Sequence, residues 1–453
     1  EARHTWHLPR DHREEAGQPI KVVVIGTGKF GAMFLSQIRL TPGMHLVGVA
    51  DLSVGRAKKA LLKTGWPRDQ IKARSIAKAL AEKSTFVTDD AKALISGGGV
   101  DVVVEATGVP DAGVDHALAA FSRGRHVVMV NVEADVLCGP LLAQKAKSAG
   151  VSYSMAYGDQ PALICEQVDW ARACGFQVIG AGKGTLYMPE FHNSTPDTVW
   201  DYYGITPRRA RDSGMNPKMF NSFLDGTKSG IEMAAVSNAC NLRPPSGGLK
   251  FPSCSISELA SKIIPREEGG YLEHEGQVEV VSSRTRNGTD LEENLRWGTY
   301  VTFKAPSDYV RSCFSDYGLI TDQSGNYSAL WRPYHLIGLE LGISVANVGL
   351  FGLPTGTPQN FNADVVAVTK RDLKPGETLD GEGGYTVWGQ VMPSKDSMKF
   401  GAVPIGLANG IQAKKKLNKG DVVSWSDVRV PDGFTNLSAY KIRQEMVSNF
   451  WKK

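Results

Sequence analysis

A strand, a glycine turn and a helix follow one another without a gap near the N-terminus, and no other feature restricts the fold as much. Val22-Val23-Val24-Ile25 is an apolar run of strand type, Gly26-Thr27-Gly28-Lys29-Phe30-Gly31 is a G-x-G-x-x-G turn, and residues 32–39 read as a helix. In such a turn the first glycine permits the sharp reversal, the second lets backbone approach a pyrophosphate, and the third lets helix and strand pack closely. The helix N-terminus then offers free N–H groups and partial positive charge to phosphates. The second apolar run, 45–51, ends in Asp51 at the spacing where a carboxylate meets a ribose. Strand, turn, helix and acid together imply a bound dinucleotide, where the glycines alone would not.

Residues 21–150 continue the pattern. Apolar runs at 21–26, 45–51, 100–107 and 126–132 alternate with helix-like stretches such as 54–63. Runs with little polar alternation suit parallel strands buried on both faces. The fold expected is α/β, with a Rossmann dinucleotide-binding domain over 1–155. Ligands in open α/β sheets bind beyond the carboxyl ends of the strands. The turn residues Gly26, Thr27, Gly28, Lys29, Phe30 and Gly31 are therefore candidate coenzyme contacts, with Asp51, with Thr107 and Gly108 after the third run, and with Asn131 and Glu133 after the fourth. Asp111 and Asp135 offer a blander reading of those two loops, as helix caps. Asp51 favours NAD, since it would repel a 2′-phosphate; NADP is the alternative, and Arg56, five residues on, reads as a solvated helix residue.

Residues 156–360 change in texture. Runs at 151–155 and 177–182 read as strands with a helix over 165–174 between them. A polar, aromatic stretch at 187–222 precedes a helix over about 226–242, and 277–283 and 299–305 read as antiparallel strands. This is an α+β substrate domain. Its strongest catalytic candidates are Lys183 and the segment holding Asp225, Lys228 and Glu232. Lys228 and Glu232 stand four apart on one helix face; Ile231, Ala235 and Leu242 fall on nearly the same side, so that face is expected to be at least partly buried. A lysine desolvated beside carboxylates can stabilise alkoxide character and exchange a proton; a plain Lys228–Glu232 salt bridge is the competing reading. Asp159 and Asp225 also stand where each would cap the next helix. Asp159, Gln160, Asn193, Asn216, Ser222 and Thr227 are the candidate substrate contacts. His192 belongs to a pocket or surface, and the run Arg208-Arg209-Ala210-Arg211 to an anion clamp or a solvated loop end.

From residue 361 to 453 the chain reads as a small β-rich module with a C-terminal tail. Leu373-Lys374-Pro375-Gly376-Glu377 and Leu417-Asn418-Lys419-Gly420-Asp421 are two L-x-x-G-[ED] turns within about fifty residues of each other. The run Lys414-Lys415-Lys416 belongs on a solvated edge.

Composition sets the outer limits. The 453 residues are too many for one core. A net charge of +4 on that length gives no reason for nucleic acid, and no stretch is apolar enough to span a membrane. The nineteen leading residues lack the apolar run of a secretory signal. Six cysteines without CxxC or zinc-type spacing read as buried thiols in a reducing compartment, so the expected setting is the cytoplasm. The nine histidines show no zinc spacing either. Expected partners are a small-molecule substrate and, by fold analogy, a second copy in a homodimer.

Assembled, these segments resemble the homoserine-dehydrogenase-like oxidoreductases with a C-terminal SAF domain, and within them the 1-deoxy-D-xylulose 5-phosphate reductoisomerase-like branch. The residues carrying the resemblance are Gly26 through Gly31, Val130-Asn131-Val132-Glu133-Ala134-Asp135, Gly158-Asp159-Gln160-Pro161, Gly182-Lys183-Gly184, Asn216-Pro217, Ser222-Phe223-Leu224-Asp225-Gly226-Thr227-Lys228, and Pro333-Tyr334-His335-Leu336 with Glu340; the stretch from Asp372 to Gly381 resembles an SAF domain. The resemblance implies an NAD(P)-dependent oxidoreductase acting on a sugar, sugar acid, polyol or sugar phosphate, with Lys183, Asp225 and Lys228 in its site. A reductoisomerase would add a divalent metal, with Asp225 and Glu232 as contributors; the metal ligands are otherwise unknown. Homoserine dehydrogenases carry a lysine where Glu133 stands, and the reductoisomerase-like branch uses NADPH where Asp51 suits NAD. A homoserine-type dehydrogenase and a non-catalytic, NAD-responsive binding protein are the other readings.

Overall fold

The computed structural model describes residues 5–451; the first four of the nineteen leading residues and the last two of the C-terminal tail lie outside the described residues. It divides into two compact units. One holds the residues through Leu163, Leu336–Gln359 and Lys441–Met446, and the other holds Ile164–His335, Asn360–Tyr440 and the residues from Val447.

The first unit is built on six parallel strands among the described residues: β1 (Ile20–Ile25), β2 (Met44–Ala50), β3 (Phe86–Thr88), β4 (Val102–Glu105), β5 (His126–Met129) and β6 (Tyr153–Met155). Their order in space is β3-β2-β1-β4-β5-β6, so the chain reverses its direction of winding between β1 and β4. That reversal opens the crevice where a doubly wound sheet binds its ligand. The expected α/β fold is present, and four of its strands lie on the four apolar runs. The surface helix expected at 54–63 is Val54–Lys63, with only Ala57 and Leu61 buried. One helix comes from far along the chain. Gly342–Phe351 places Leu341, Val345, Ala346 and Val348 in the same core as Ile20, Val22, Val24, Phe34 and Val104.

Asp135 lies within the helix Val132–Ser148 and does not cap it; Asn131 does, accepting from the Ala134 N–H at 3.2 Å. Asp135 is buried and accepts from the Tyr153 hydroxyl at 2.7 Å. Burial pushes its carboxyl up to about 7, against the pull of that hydrogen bond. A carboxyl raised in the folded state holds a proton that the unfolded chain has already released, so stability falls as pH rises from about 4 towards 7. Asp135→Asn is expected to flatten that part of the stability-versus-pH curve, measured by urea unfolding between pH 4.5 and 7.5. An unchanged slope would mean that Asp135 is ionised throughout.

The second unit has a four-stranded sheet of β7 (Gln177–Thr185), β8 (Gln277–Ser282), β9 (Thr299–Lys304) and β10 (Tyr327–Arg332), in the order β10-β9-β7-β8. The strands β8 and β9, expected as antiparallel, do run oppositely, but β7 lies between them, parallel to β8 and antiparallel to β9. The C-terminal part adds β11 (Ala363–Thr369), β12 (Thr378–Asp380), β13 (Val387–Pro393), β14 (Asn409–Ala413) and β15 (Val428–Arg429), in a β11–β13 pair and a β12-β14-β15 sheet. The two L-x-x-G-[ED] turns face each other. Leu373 and Leu417 exchange both backbone hydrogen bonds, at 2.9 and 3.0 Å. In each turn the glycine has a positive φ and the closing carboxylate accepts from the N–H three residues back, Glu377 from Lys374 and Asp421 from Asn418. The chain ends in a helix, Ser438–Phe450, that its composition had not singled out. Lys414, Lys415 and Lys416 are exposed, as expected.

The helix expected at 226–242 is Thr227–Cys240, and it departs from the expectation of one buried face. It is buried on nearly all sides, because strands of the C-terminal part cover the side away from β7 and β8. Gly230 allows that approach: a Cβ there would stand 3.2 Å from the Gly389 carbonyl. Among the described residues no helix is long and apolar enough to cross a membrane.

Candidate functional site

Within the first unit, the glycine turn joins β1 to the helix Lys29–Ile38. Gly26 has φ of +96°, and a Cβ would stand 2.5 Å from the Ala106 carbonyl; at Gly31 a Cβ would stand 2.2 Å from the Gly26 carbonyl. Both positions are closed to any side chain. Gly28 differs: no atom lies within 4 Å of where its Cβ would be. The middle glycine thus faces open space, at the N-cap of a helix that no side chain caps. Such a cradle fits a pyrophosphate, held by the backbone N–H groups that begin the helix.

Asp51 is buried at the end of β2. Its Oδ2 accepts from the Thr27 N–H at 3.0 Å and the Thr27 hydroxyl at 2.6 Å, and its Oδ1 accepts from the Ser53 N–H at 3.1 Å. Arg56 pairs with the same carboxylate. Burial opposes the charge, but the bonds from Thr27, Arg56 and the backbone outweigh it and hold the carboxyl below its usual range. Of the two readings open to Arg56, a solvated helix residue and a group that could answer a phosphate, the ion pair goes beyond the first, although its side chain is 60% exposed. The two loops at the ends of β4 and β5 are tied together: the Asn131 side-chain amide donates to the Val109 carbonyl at 2.8 Å and to the Thr107 hydroxyl at 3.4 Å. Gly108 is exposed with φ of +70°, and Glu133 is half-buried in the first turn of its helix. Composition gave no sign of the buried Glu105–His116 pair, 3.0 Å apart, which braces the end of β4.

Within the second unit, Lys183 stands near the C-terminal end of β7, 5% exposed. Its ammonium pairs with Glu232, 3% exposed, on the helix Thr227–Cys240. Glu232 thus meets a lysine from the strand, a partner that the helical spacing of Lys228 and Glu232 could not announce. The flanking glycines follow from the pleat. Successive side chains of a strand point to opposite faces, and Cβ atoms at Gly182 and Gly184 would stand 1.8 and 1.9 Å from the Glu279 and Leu295 carbonyls. Lys183 takes the one face with room for a side chain.

The Asp225 segment is held from the C-terminal part. Asp225 is fully buried and stands one residue before the N-cap, which is Gly226 and not Asp225 as expected; its Oδ1 accepts from the first N–H of the helix, that of Thr227, at 2.9 Å. Its Oδ2 lies 2.8 Å from Lys370 Nζ, which also donates to the Ser194 and Gly384 carbonyls at 2.8 and 2.7 Å. His192 binds the Asp225 carbonyl through Nδ1 at 2.7 Å and stacks on Trp388, with ring centroids 4.0 Å apart. Burial holds its imidazole below the usual range, against the pull of the Asp225 carbonyl.

The remaining candidates fall as follows. Asn216 caps the helix Pro217–Leu224; Ser222 donates to Glu382; the Thr227 hydroxyl accepts from the Gly389 N–H at 2.8 Å. Asn193 is exposed at the end of the turn Pro189–Asn193, and Lys228 is half-buried. In the first unit, Asp159 and Gln160 are buried, and Asp159 accepts from the Gln160 N–H at 3.0 Å. The donor set does not fit a divalent metal. Asp225 and Glu232 each face a lysine ammonium, and no group of three histidine, cysteine or carboxylate side chains among the described residues could hold an ion.

Comparison with known proteins agrees with both units. Residues 20–129 match the model of the oxidoreductase family with an NAD-binding Rossmann fold, and residues 158–341 match that of the oxidoreductase DRL catalytic domain. The second match spans Gly158, Lys183, Asn216, the Asp225–Lys228 turn and Glu340. No curated protein matches the sequence. Among solved structures, biliverdin reductase from Synechocystis is 14% identical, covering 74% of this chain and 92% of that one with a TM-score of 0.37. Myo-inositol dehydrogenase from Lactobacillus casei is 15% identical, covering 40% and 50% with a TM-score of 0.29. A Rossmann sheet with an open glycine cradle, continued by a catalytic region of oxidoreductase type, makes this chain an NAD(P)-dependent oxidoreductase.

Proposed function

We propose that the enzyme transfers a hydride to or from a small polar carbonyl or hydroxyl compound, of the sugar, sugar-acid, polyol or sugar-phosphate class, with Lys183 and Glu232 handling the proton. The observation that carries this reading is the buried pair itself, a cation and a carboxylate fixed on a strand and a helix. The nicotinamide, when bound, supplies or accepts the hydride. In the reducing direction, the substrate oxygen takes a proton from Lys183 Nζ as negative charge builds on it, and Glu232 orients that lysine beforehand. A reductoisomerase is not favoured, because both carboxylates offered for its metal face lysines.

The coenzyme cradle supports use of either nucleotide. Asp51 offers its carboxylate to ribose hydroxyls, and Arg56 beside it offers a guanidinium to a 2′-phosphate. A panel of sugars, sugar acids, polyols and sugar phosphates, read by nicotinamide absorbance with both coenzymes, is expected to show turnover with at least one of these compounds. Arg56→Ala is expected to raise KM for NADPH about tenfold while leaving NADH near its starting value, a loss of the size expected for one charge-assisted contact. Turnover confined to apolar substrates would end the substrate reading, and an equal effect on both coenzymes would end the Arg56 assignment.

A further inference from the structure

All six cysteines are free thiols, and they are less uniformly buried than expected: Cys138, Cys240 and Cys254 are buried, Cys165 and Cys313 are half-buried, and Cys174 is exposed. Two of them meet. Cys165 lies on the helix Gln160–Ala173, Cys240 is the last residue of the helix Thr227–Cys240, and their sulfurs are 3.3 Å apart. The helices are fixed at this point by more than the thiols. Arg172, on the same helix as Cys165, donates to the Cys240 carbonyl at 2.7 Å. Val168 and Ala171 share a packed core with Cys240.

The geometry points to Cys165 and Cys240 as an oxidation site, at which a hydroperoxide joins the two helices by a disulfide. A disulfide needs sulfurs about 2.05 Å apart; here the two sulfurs are already in van der Waals contact, and the shared core with the Arg172 bond holds the two helices at this point. Cys165, the more exposed, is oxidised first: its sulfur attacks the peroxide, the O–O bond breaks, and sulfenic acid and water form. The Cys240 sulfur then attacks the sulfenic sulfur, the S–O bond breaks, and a second water leaves as the S–S bond forms. Two thiols lose two electrons and two protons, and one hydrogen peroxide becomes two waters. The bridge would close a loop from 165 to 240 containing Lys183, the Asp225 turn and Glu232, fixing the far end of the helix that carries Glu232. A thiol pair packed for its shape alone would show none of this chemistry.

The test is made on the full chain. The protein is treated with a small excess of hydrogen peroxide, its remaining thiols are alkylated, and its peptides are mapped. The expected result is a linked peptide pair containing Cys165 and Cys240, reversed by dithiothreitol, with a thermal midpoint about 5 °C higher in the oxidised protein. Cys174→Ser should leave the link intact, and Cys240→Ser should trap Cys165 as a dimedone adduct. Full alkylation of Cys165 and Cys240 after oxidation, or a bridge that uses Cys174 or Cys313, would overturn the assignment. Because the wild type is mapped directly, neither result depends on a variant that must fold.

Discussion

Replacing Lys370 by methionine is expected to destabilise the protein by about 3–5 kcal/mol, the cost of leaving a buried charge without its partner. Lys370 is 4% exposed and its Nζ is shared among the Asp225 carboxylate and two carbonyls. Its removal leaves a carboxylate in the interior that can neither reach water nor give up its bond to the Thr227 N–H. Adding Asp225→Asn should restore a large part of the loss, since asparagine can keep the Thr227 bond and carries no charge. Urea unfolding of the two single variants and the double variant forms a mutant cycle. Losses that simply add would show that the two charges are not coupled.

Lys183→Met is expected to lower kcat by about 10²–10⁴, the range for loss of a positioned proton donor, with coenzyme affinity close to that of the wild type. The separation is the informative part: the glycine cradle and Asp51 belong to the other unit and make no use of Lys183. The variant also leaves Glu232 buried without its cation, so stability should be measured alongside, and Glu232→Gln on the same background separates a folding defect from a chemical one. Lys228→Met is the comparison of choice. A loss as large as that of Lys183→Met would move the proton to Lys228, the lysine that sequence spacing had paired with Glu232.

The first unit was largely legible in the sequence because its strands are buried on both faces, so each is a continuous apolar run, and because its glycines answer to local geometry. Gly31 is fixed by the Gly26 carbonyl within the same turn, which the G-x-G-x-x-G spacing reports directly, whereas Gly26 is closed by the distant Ala106 carbonyl. The site in the second unit was harder to read, since its contacts join distant residues. Nothing near Lys183 announces Glu232, and an i,i+4 rule naturally proposed Lys228. Lys370 was invisible for the same reason: it lies 145 residues from Asp225 in a β-rich segment with no motif of its own. For the helix Thr227–Cys240 the spacing reported one buried face and not the rest, because the cover of the other side comes from a strand pair more than a hundred residues later.

The helix Gly342–Phe351 has a consequence for how this protein is made. Ile20 and Val22 leave the ribosome long before the side chains that complete their core, from Leu341 to Val348. At ordinary elongation rates the gap is on the order of tens of seconds. For that time β1 and its neighbours present an apolar face with its cover still unmade. Vectorial synthesis therefore cannot finish this sheet before the returning helix is made. A fragment that stops at the end of β6 should emerge as an aggregation-prone sheet.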